Sequence, residues 1–223
     1  RAIESVNTND EVNDSGIVNE GTFIPETVIK TKDTLTTLHK RGKMLVASYE
    51  AIKSQKLDVF TVALKQIGEY IARCQMFDLI SLLNDNETAS IAPTASGTIT
   101  YKDIVNLWCE MSPYEMTTLV ASPIAFSTLL NIDEFKDAVA GLNFHATGKM
   151  ITPLGAQLVK APAIFDGNLL IGLDKRYAVE KVQFGDIATD FDKLIDRQLE
   201  RATVTSTVGF SKIFNDAICK VQG

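Results

Sequence analysis

The chain has 223 residues, 45% hydrophobic and 22% charged, with 22 basic against 28 acidic residues and a net charge of −6. That length allows a real core in one domain or two intimately connected ones, and the acidic balance argues against a protein whose main task is to grip phosphates. Its apolar runs are only a few residues long, far short of the ~20 that a membrane-spanning helix needs, so no membrane partner is expected.

Residues 1–28 carry Arg1 against Glu4, Asp10, Glu11, Asp14, Glu20 and Glu26, with few large apolar residues before Phe23. This composition predicts an arm that cannot fold by itself. Residues 29–56 reverse the sign, with Lys30, Lys32, Lys40, Arg41, Lys43, Lys53 and Lys56 against Asp33 and Glu50. Threonines and branched residues make this segment strands or a long hairpin. Its apolar residues are thinly spread and an isolated hairpin is marginal in water, so it needs something else to lean on.

From Asp58 the period becomes helical, with Phe60, Leu64, Ile67, Ile71 and Cys74 at steps of four and three. The helix is expected over Asp58 to Leu83, with Asp58 as N-cap and Asn84 to Asn86 as the stop. At ~1.5 Å per residue it would run roughly 39 Å, close to the ~44 Å diameter of a compact globule of this size. Beyond Met76 it is apolar on most sides, which predicts deeper burial at that end.

"NETASIAPTASGT" reads as a loop. Thr100 with Asp103 resembles a capping box for a helix carrying Trp108 and Cys109, both read as core. "MTTLVAS" is a buried strand, Ser122 and Pro123 open a short helix through Leu130, and Lys149 to Phe184 is β-rich. This mixed order predicts an α+β fold rather than an alternating βαβ one.

Chemical motifs are weak. "GLNFHATGK", Gly141 to Lys149, has six residues between its glycines and Met150 after its lysine; a P-loop needs four, then Ser or Thr. His39 and His145 have no nucleophile elbow near them, and the "DFD" carboxylates Asp190 and Asp192 read as surface rather than metal ligands. Cys74, Cys109 and Cys219 are odd in number and widely spaced, so neither a disulfide framework nor a zinc site is indicated. They suit synthesis in a reducing cytoplasm. No catalytic, cofactor or metal residue is assigned. The chain opens on Arg1 without a signal-sequence pattern, which reads as a cleavage point or an engineered boundary.

Several long stretches together resemble the major capsid protein of tailed bacteriophages and prophages, which has the HK-97-like fold. They are "HKRGKMLVASYEAIKSQKLDVFTVALKQIGEYIAR", "YEMTTLVAS", "GLNFHATGKMITPLGAQLVKA" and "LIGLDKRYAVEKVQFGDIATDFDKLIDRQLERATVTSTVGFSKIF". The resemblance covers most of the chain from about residue 21.

It implies an N-terminal arm at 1–20, an extended E-loop at 21–49, a peripheral P-domain at 50–111 and 172–223 with a long spine helix, and an axial A-domain at 112–171. It further implies a non-enzymatic structural subunit, assembling through hexamers and pentamers into an icosahedral shell around double-stranded DNA. Scaffold, protease and portal proteins would be assembly partners, and the virion, built in the bacterial cytoplasm, its location. Proteolytic loss of a scaffolding segment would account for Arg1. Family cross-links between lysine and asparagine would draw on Lys30, Lys32, Lys40 or Lys43, although no acceptor or catalytic carboxylate matches. The alternatives are an encapsulin-like compartment shell and, with only residues such as His145 behind it, a soluble hydrolase.

The stretch "DFDKLIDRQLER", Asp190 to Arg201, is expected to be extended. As a helix it would hold four like-charge pairs at i,i+4, each unfavourable by ~0.2–0.5 kcal/mol, while opposite charges three apart (Lys193 with Asp196, Arg197 with Glu200, Asp190 with Lys193) recover much of this, so the sums barely decide and the resemblance favours the extended form. As one strand it shows a basic and apolar face (Phe191, Lys193, Ile195, Arg197, Leu199, Arg201) and a mostly acidic one. Its charges then await partners on adjacent strands or subunits. Lys30, Lys32, Lys40, Arg41, Lys43, Arg197 and Arg201 are the candidate inter-subunit contacts, and reversal at Arg197 or Arg201 is expected to impair assembly more than folding.

Overall fold

The computed structural model describes residues 3–4, 30–31, 36–50, 58–95, 98–136, 150–162 and 169–222, with backbone only at 3–4, 30–31 and 58–60. Its elements, in chain order, are β1 (Ile3–Glu4), β2 (Lys30–Thr31), β3 (His39–Ser48), α1 (Asp58–Leu83), β4 (Ala89–Ile91), α2 (Tyr101–Glu110), β5 (Thr118–Ala121), α3 (Pro123–Asn131), α4 (Asp133–Lys136), β6 (Gln157–Lys160), β7 (Leu169–Leu173), β8 (Val179–Gln183), β9 (Ala188–Leu194), β10 (Leu199–Lys212) and β11 (Ile218–Gln222). The mixture is α+β, as the order of patterns predicts.

A five-stranded sheet in the order β4-β11-β7-β5-β6 holds the core. Its strands alternate faces, as the period of two requires. Leu119 and Ala121 of β5, Leu170 of β7, and Cys219 and Val221 of β11 face Ile104, Leu107 and Met111 on one side and Ala125, Leu129 and Phe135 beside them. Val120, Ile171 and Ile218 point the other way, onto Ile80 and Leu83 at the end of α1. Next to them Tyr114, Tyr177 and Phe214 form an aromatic cluster with ring centroids 5.7–6.4 Å apart.

A second sheet is built on β10, the longest strand. β3 runs antiparallel along one side of it, and β9 and β8 share the other. The thin basic segment thus leans on β10, from Ser48 opposite Leu199 to His39 opposite Val208. Gly42 is required here: a Cβ would come within 2.7 Å of Thr205 Cγ2 and 2.8 Å of the Val204 carbonyl, inside normal contact distance.

α1 joins the two sheets. Its residues cover Asp58–Leu83 as the periodicity predicts, and among its described side chains Ile71, Ile80 and Leu83 are the buried apolar ones, concentrated toward the C-terminal end. Over the second sheet, Gln75 Nε2 donates to Ser206 Oγ of β10 at 3.1 Å. At the first, two buried lysines close the helix end. Lys220 Nζ donates to the carbonyls of Asp85 at 2.8 Å and Asn84 at 3.2 Å, and Lys212 Nζ binds Asp85 and, at 2.8 Å, Thr88 Oγ1. Cations there satisfy the last carbonyls and the negative end of the helix dipole.

The structure corrects three expectations. The loop read at "NETASIAPTASGT" contains β4, recruited as a parallel edge by β11, with Cys219 opposite Ala89; pairing from outside the segment overrides its small polar composition. The helix opened by Thr100 does place the Asp103 carboxylate on the Thr100 amide at 2.7 Å and hydroxyl at 2.8 Å, but Trp108 is 50% exposed and Cys109 is exposed too. The buried stripe runs through Asp103, Ile104, Leu107 and Met111, and Trp108 falls at its margin by the 100° step from Leu107. Trp108 instead walls a cavity of about 950 Å³ with Met116, Met150, Leu154 and Leu158. The third correction concerns the charged stretch.

Candidate assembly interface

"DFDKLIDRQLER" is neither a helix nor one strand. β9 ends at Leu194, β10 begins at Leu199, and the four residues between form the turn of an antiparallel hairpin. Gln198 takes a left-handed φ of 54°, uncommon for a residue with a side chain. The turn changes which residues share a face. Opposed residues point to the same side, so Arg201 stands with Asp192 and Glu200 with Lys193, where a single strand would separate each pair. Arg201 Nη2 binds Asp192 Oδ2 at 2.9 Å and Lys193 Nζ binds Glu200 Oε1 at 2.8 Å. The Lys193 ammonium is held above its ordinary pKa by that carboxylate.

The seven candidate contacts separate accordingly. Arg41 is turned inward onto Asp78 of α1 at 2.6 Å, and Lys43 Nζ sits 3.6 Å from the ring centroid of Tyr70. Arg201 is engaged with Asp192. Lys40 is exposed on β3 without an ion pair to a described residue, and Arg197 is exposed at the hairpin turn, 3.8 Å from Asp196. Lys30 is opposite Glu4 in the backbone pairing of β1 and β2. Lys32 lies outside the described residues, as do His145 and the "GLNFHATGK" loop. Asp190 and Asp192 are on β9; among the described residues no three His, Cys, Asp or Glu gather as a metal site.

Charge reading alone misses an apolar row beside these groups. Ile187, Phe191 and Ile195 are 64%, 67% and 82% exposed, and Phe184 just before them is exposed as well. Ile187 lies just before β9, and Phe191 on β9 stands opposite Ala202, which the protein buries completely. α1 covers β10 and β3 on that face but stops short of β9. The signal in the sequence is the spacing of Ile187, Phe191 and Ile195 at four residues within "DIATDFDKLID", where the acidic residues drew the reading toward charge.

On the opposite flank, β3 exposes Met44 and Val46. Beside it, between α1 and the end of β6, lies a groove of about 620 Å³ lined by Tyr70, Met76, Phe77 and Pro162 with Arg73 and Lys160 among its polar residues. β3 and β9 each pair with β10 alone among the described residues. No described helix is long and apolar enough to cross a membrane.

A family model described as phage capsid protein matches residues 31–208. The chain belongs to the phage capsid protein family. It is a structural subunit of a phage capsid, with the HK-97-like fold. Solved structures agree on the fold. The capsid of a native GTA particle is 15% identical, with a TM-score of 0.67 over 94% of this chain and 80% of that one. A protein of Mycobacterium phage Che8 is 14% identical, with a TM-score of 0.62 over 98% of this capsid protein and 80% of its own length. The holo-SrpI encapsulin complex from Synechococcus elongatus PCC 7942 is 15% identical, with a TM-score of 0.63 over 87% and 77% of the two chains. No curated protein sequence matches.

Proposed function

We infer that this capsid protein works as one tile of a closed icosahedral shell, joined to its copies in hexameric and pentameric rings that enclose double-stranded DNA. The observation that carries this reading is the sheet on β10, whose two flanks expose apolar side chains that the rest of the described residues leave uncovered. A free monomer would keep those side chains in water; identical neighbours bury them. The net charge of −6 suits a container that meets DNA without gripping it.

In this reading residues 1–20 are the arm, 21–49 the E-loop, 50–111 and 172–223 the peripheral domain and 112–171 the axial domain. The spine helix α1 supports that division, and the five-stranded sheet is the seam at which the last two meet. Assembly takes place in the bacterial cytoplasm with scaffold, protease and portal proteins, and the finished location is the virion.

Electron microscopy and sedimentation of the purified full chain test the whole. Rings and shells are expected, and a chain that stays monomeric at high concentration overturns the reading. Particles that enclose a co-purified enzyme rather than nucleic acid would transfer the function to an encapsulin-like compartment.

A further inference from the structure

The two flanks of the β10 sheet differ in a way that predicts how copies join. On the β9 flank, Ile187, Phe191 and Ile195 stand among Asp186, Asp190, Asp192 and Asp196, against Lys193 and Arg197. On the β3 flank, Arg41 and Lys43 lie on the side of the groove that holds Arg73 and Lys160, Lys40 lies on the other face of β3, and the acidic residues of α1 beside them are Glu69 and Asp78, the latter paired with Arg41. One flank is acidic and apolar, the other basic and apolar.

We propose that the β9 flank of one subunit docks against the β3 and α1 flank of the next, with the Phe191 to Ile195 end of the hairpin at the basic-rimmed groove. The inference rests on the shell-subunit reading and adds which surfaces meet. Its geometry follows from α1. In each subunit α1 covers β3 and β10 but leaves the same face of β9 bare, and Tyr70, over Lys43, marks the helix flank that looks outward from β3. A second copy placed with its β3 beside β9 brings its own α1 over the bare row. Phe191 then packs beside the neighbour's Tyr70, and Asp190 meets unpaired cations such as Lys40.

Two Phe and two Ile side chains at these exposures leave on the order of 500 Å² of apolar surface, at the upper range for a soluble monomer. Because the two flanks are different surfaces, the contact is heterologous. Such contacts propagate head to tail and close into rings when the rotation allows. An isologous pairing of β9 flanks would oppose four aspartates to four.

The test uses full-length subunits blocked on one flank at a time. Phe191→Asp with Ile195→Asp blocks the β9 flank, and Arg73→Glu with Lys160→Glu blocks the other; all four side chains are exposed or line an open groove, so thermal unfolding should match the wild type. In analytical ultracentrifugation each variant alone is expected to lose rings and shells, and a 1:1 mixture is expected to give a dimer, since one intact interface remains. Either variant assembling like the wild type, or a mixture that forms no dimer, overturns the proposal. So does a dimer formed by the groove variant alone, which would make the β9 contact isologous. These outcomes leave the shell reading standing if the wild type assembles; a monomeric wild type overturns both.

Discussion

Lys212, the last residue of β10, and Asp85, two residues beyond α1, form an ion pair whose ammonium is 5% exposed and whose carboxylate is 35% exposed. It links the longest strand to the longest helix, and the unequal burial makes the two halves unequal in consequence. Asp85→Ala leaves a buried ammonium with the Thr88 hydroxyl as its remaining partner, and should destabilise the subunit by about 3 kcal/mol, at the lower end for breaking a buried pair. Lys212→Met strands a carboxylate that water still reaches and should cost less. Urea unfolding of both variants checks the order.

Acid should weaken the fold through three aspartates. Burial works against ionisation of Asp85, yet Lys212, the Thr88 hydroxyl and the Glu87 amide hold its carboxyl below the usual carboxylate range. Asp103 is likewise pressed upward by burial and brought below that range by Thr94 and Thr100. Asp174 is lowered chiefly by Arg176, which binds it at 2.9 Å, with burial opposing. Lowered folded values mean that the unfolded chain binds more protons, so stability rises with pH. The contribution is present above about pH 4, the ordinary carboxylate value, and is lost as pH falls through the lower folded values. Thermal melts between pH 6 and pH 2 should show a flat region and then a steep fall, and Asp103→Asn should flatten part of it.

Adjacent residues on α2 should respond unequally. Leu107 is fully buried against Leu119 and Leu170 in the core cluster, and Leu107→Ala should cost about 2–5 kcal/mol. Trp108→Ala removes a much larger side chain but a half-exposed one and should cost under about 1 kcal/mol. Denaturant midpoints decide. Equal losses would place Trp108 in the core after all.

Thiol reactivity should distinguish the cysteines. Burial pushes the Cys219 thiol up to about 11, leaving roughly a thousandth as thiolate at pH 8, whereas Cys109 is exposed. Iodoacetamide at pH 8, read by peptide mass spectrometry on unassembled native subunit, should modify Cys109 and leave Cys219 intact until denaturant is added.

Local periodicity was enough to bound α1, because a long helix draws its signal from residues three and four apart that it holds within itself. Pro123 after Ser122 marked α3 for the same reason. β4 was illegible since Ala89 and Ser90 have little strand character and Ile91 stands alone among small polar residues; β11, more than a hundred residues later, supplies their partner. The inter-subunit candidates were legible as charges but not as contacts, because the partners of Arg41 and Arg201 are chosen by the approach of α1 and by the hairpin turn.

Composition and pattern by themselves determined an α+β chain with an acidic start, a basic extended segment and one helix nearly as long as an ordinary globule is wide, and the matched stretches pointed to a capsid subunit. The tertiary structure decided the faces. A turn at Ile195 to Gln198 put Arg201 beside Asp192, and the reach of α1 over β3 and β10 but not β9 left Phe191 bare. Which side of a strand is buried depends on what lies across from it, and that is set by pairing and packing at a distance along the chain.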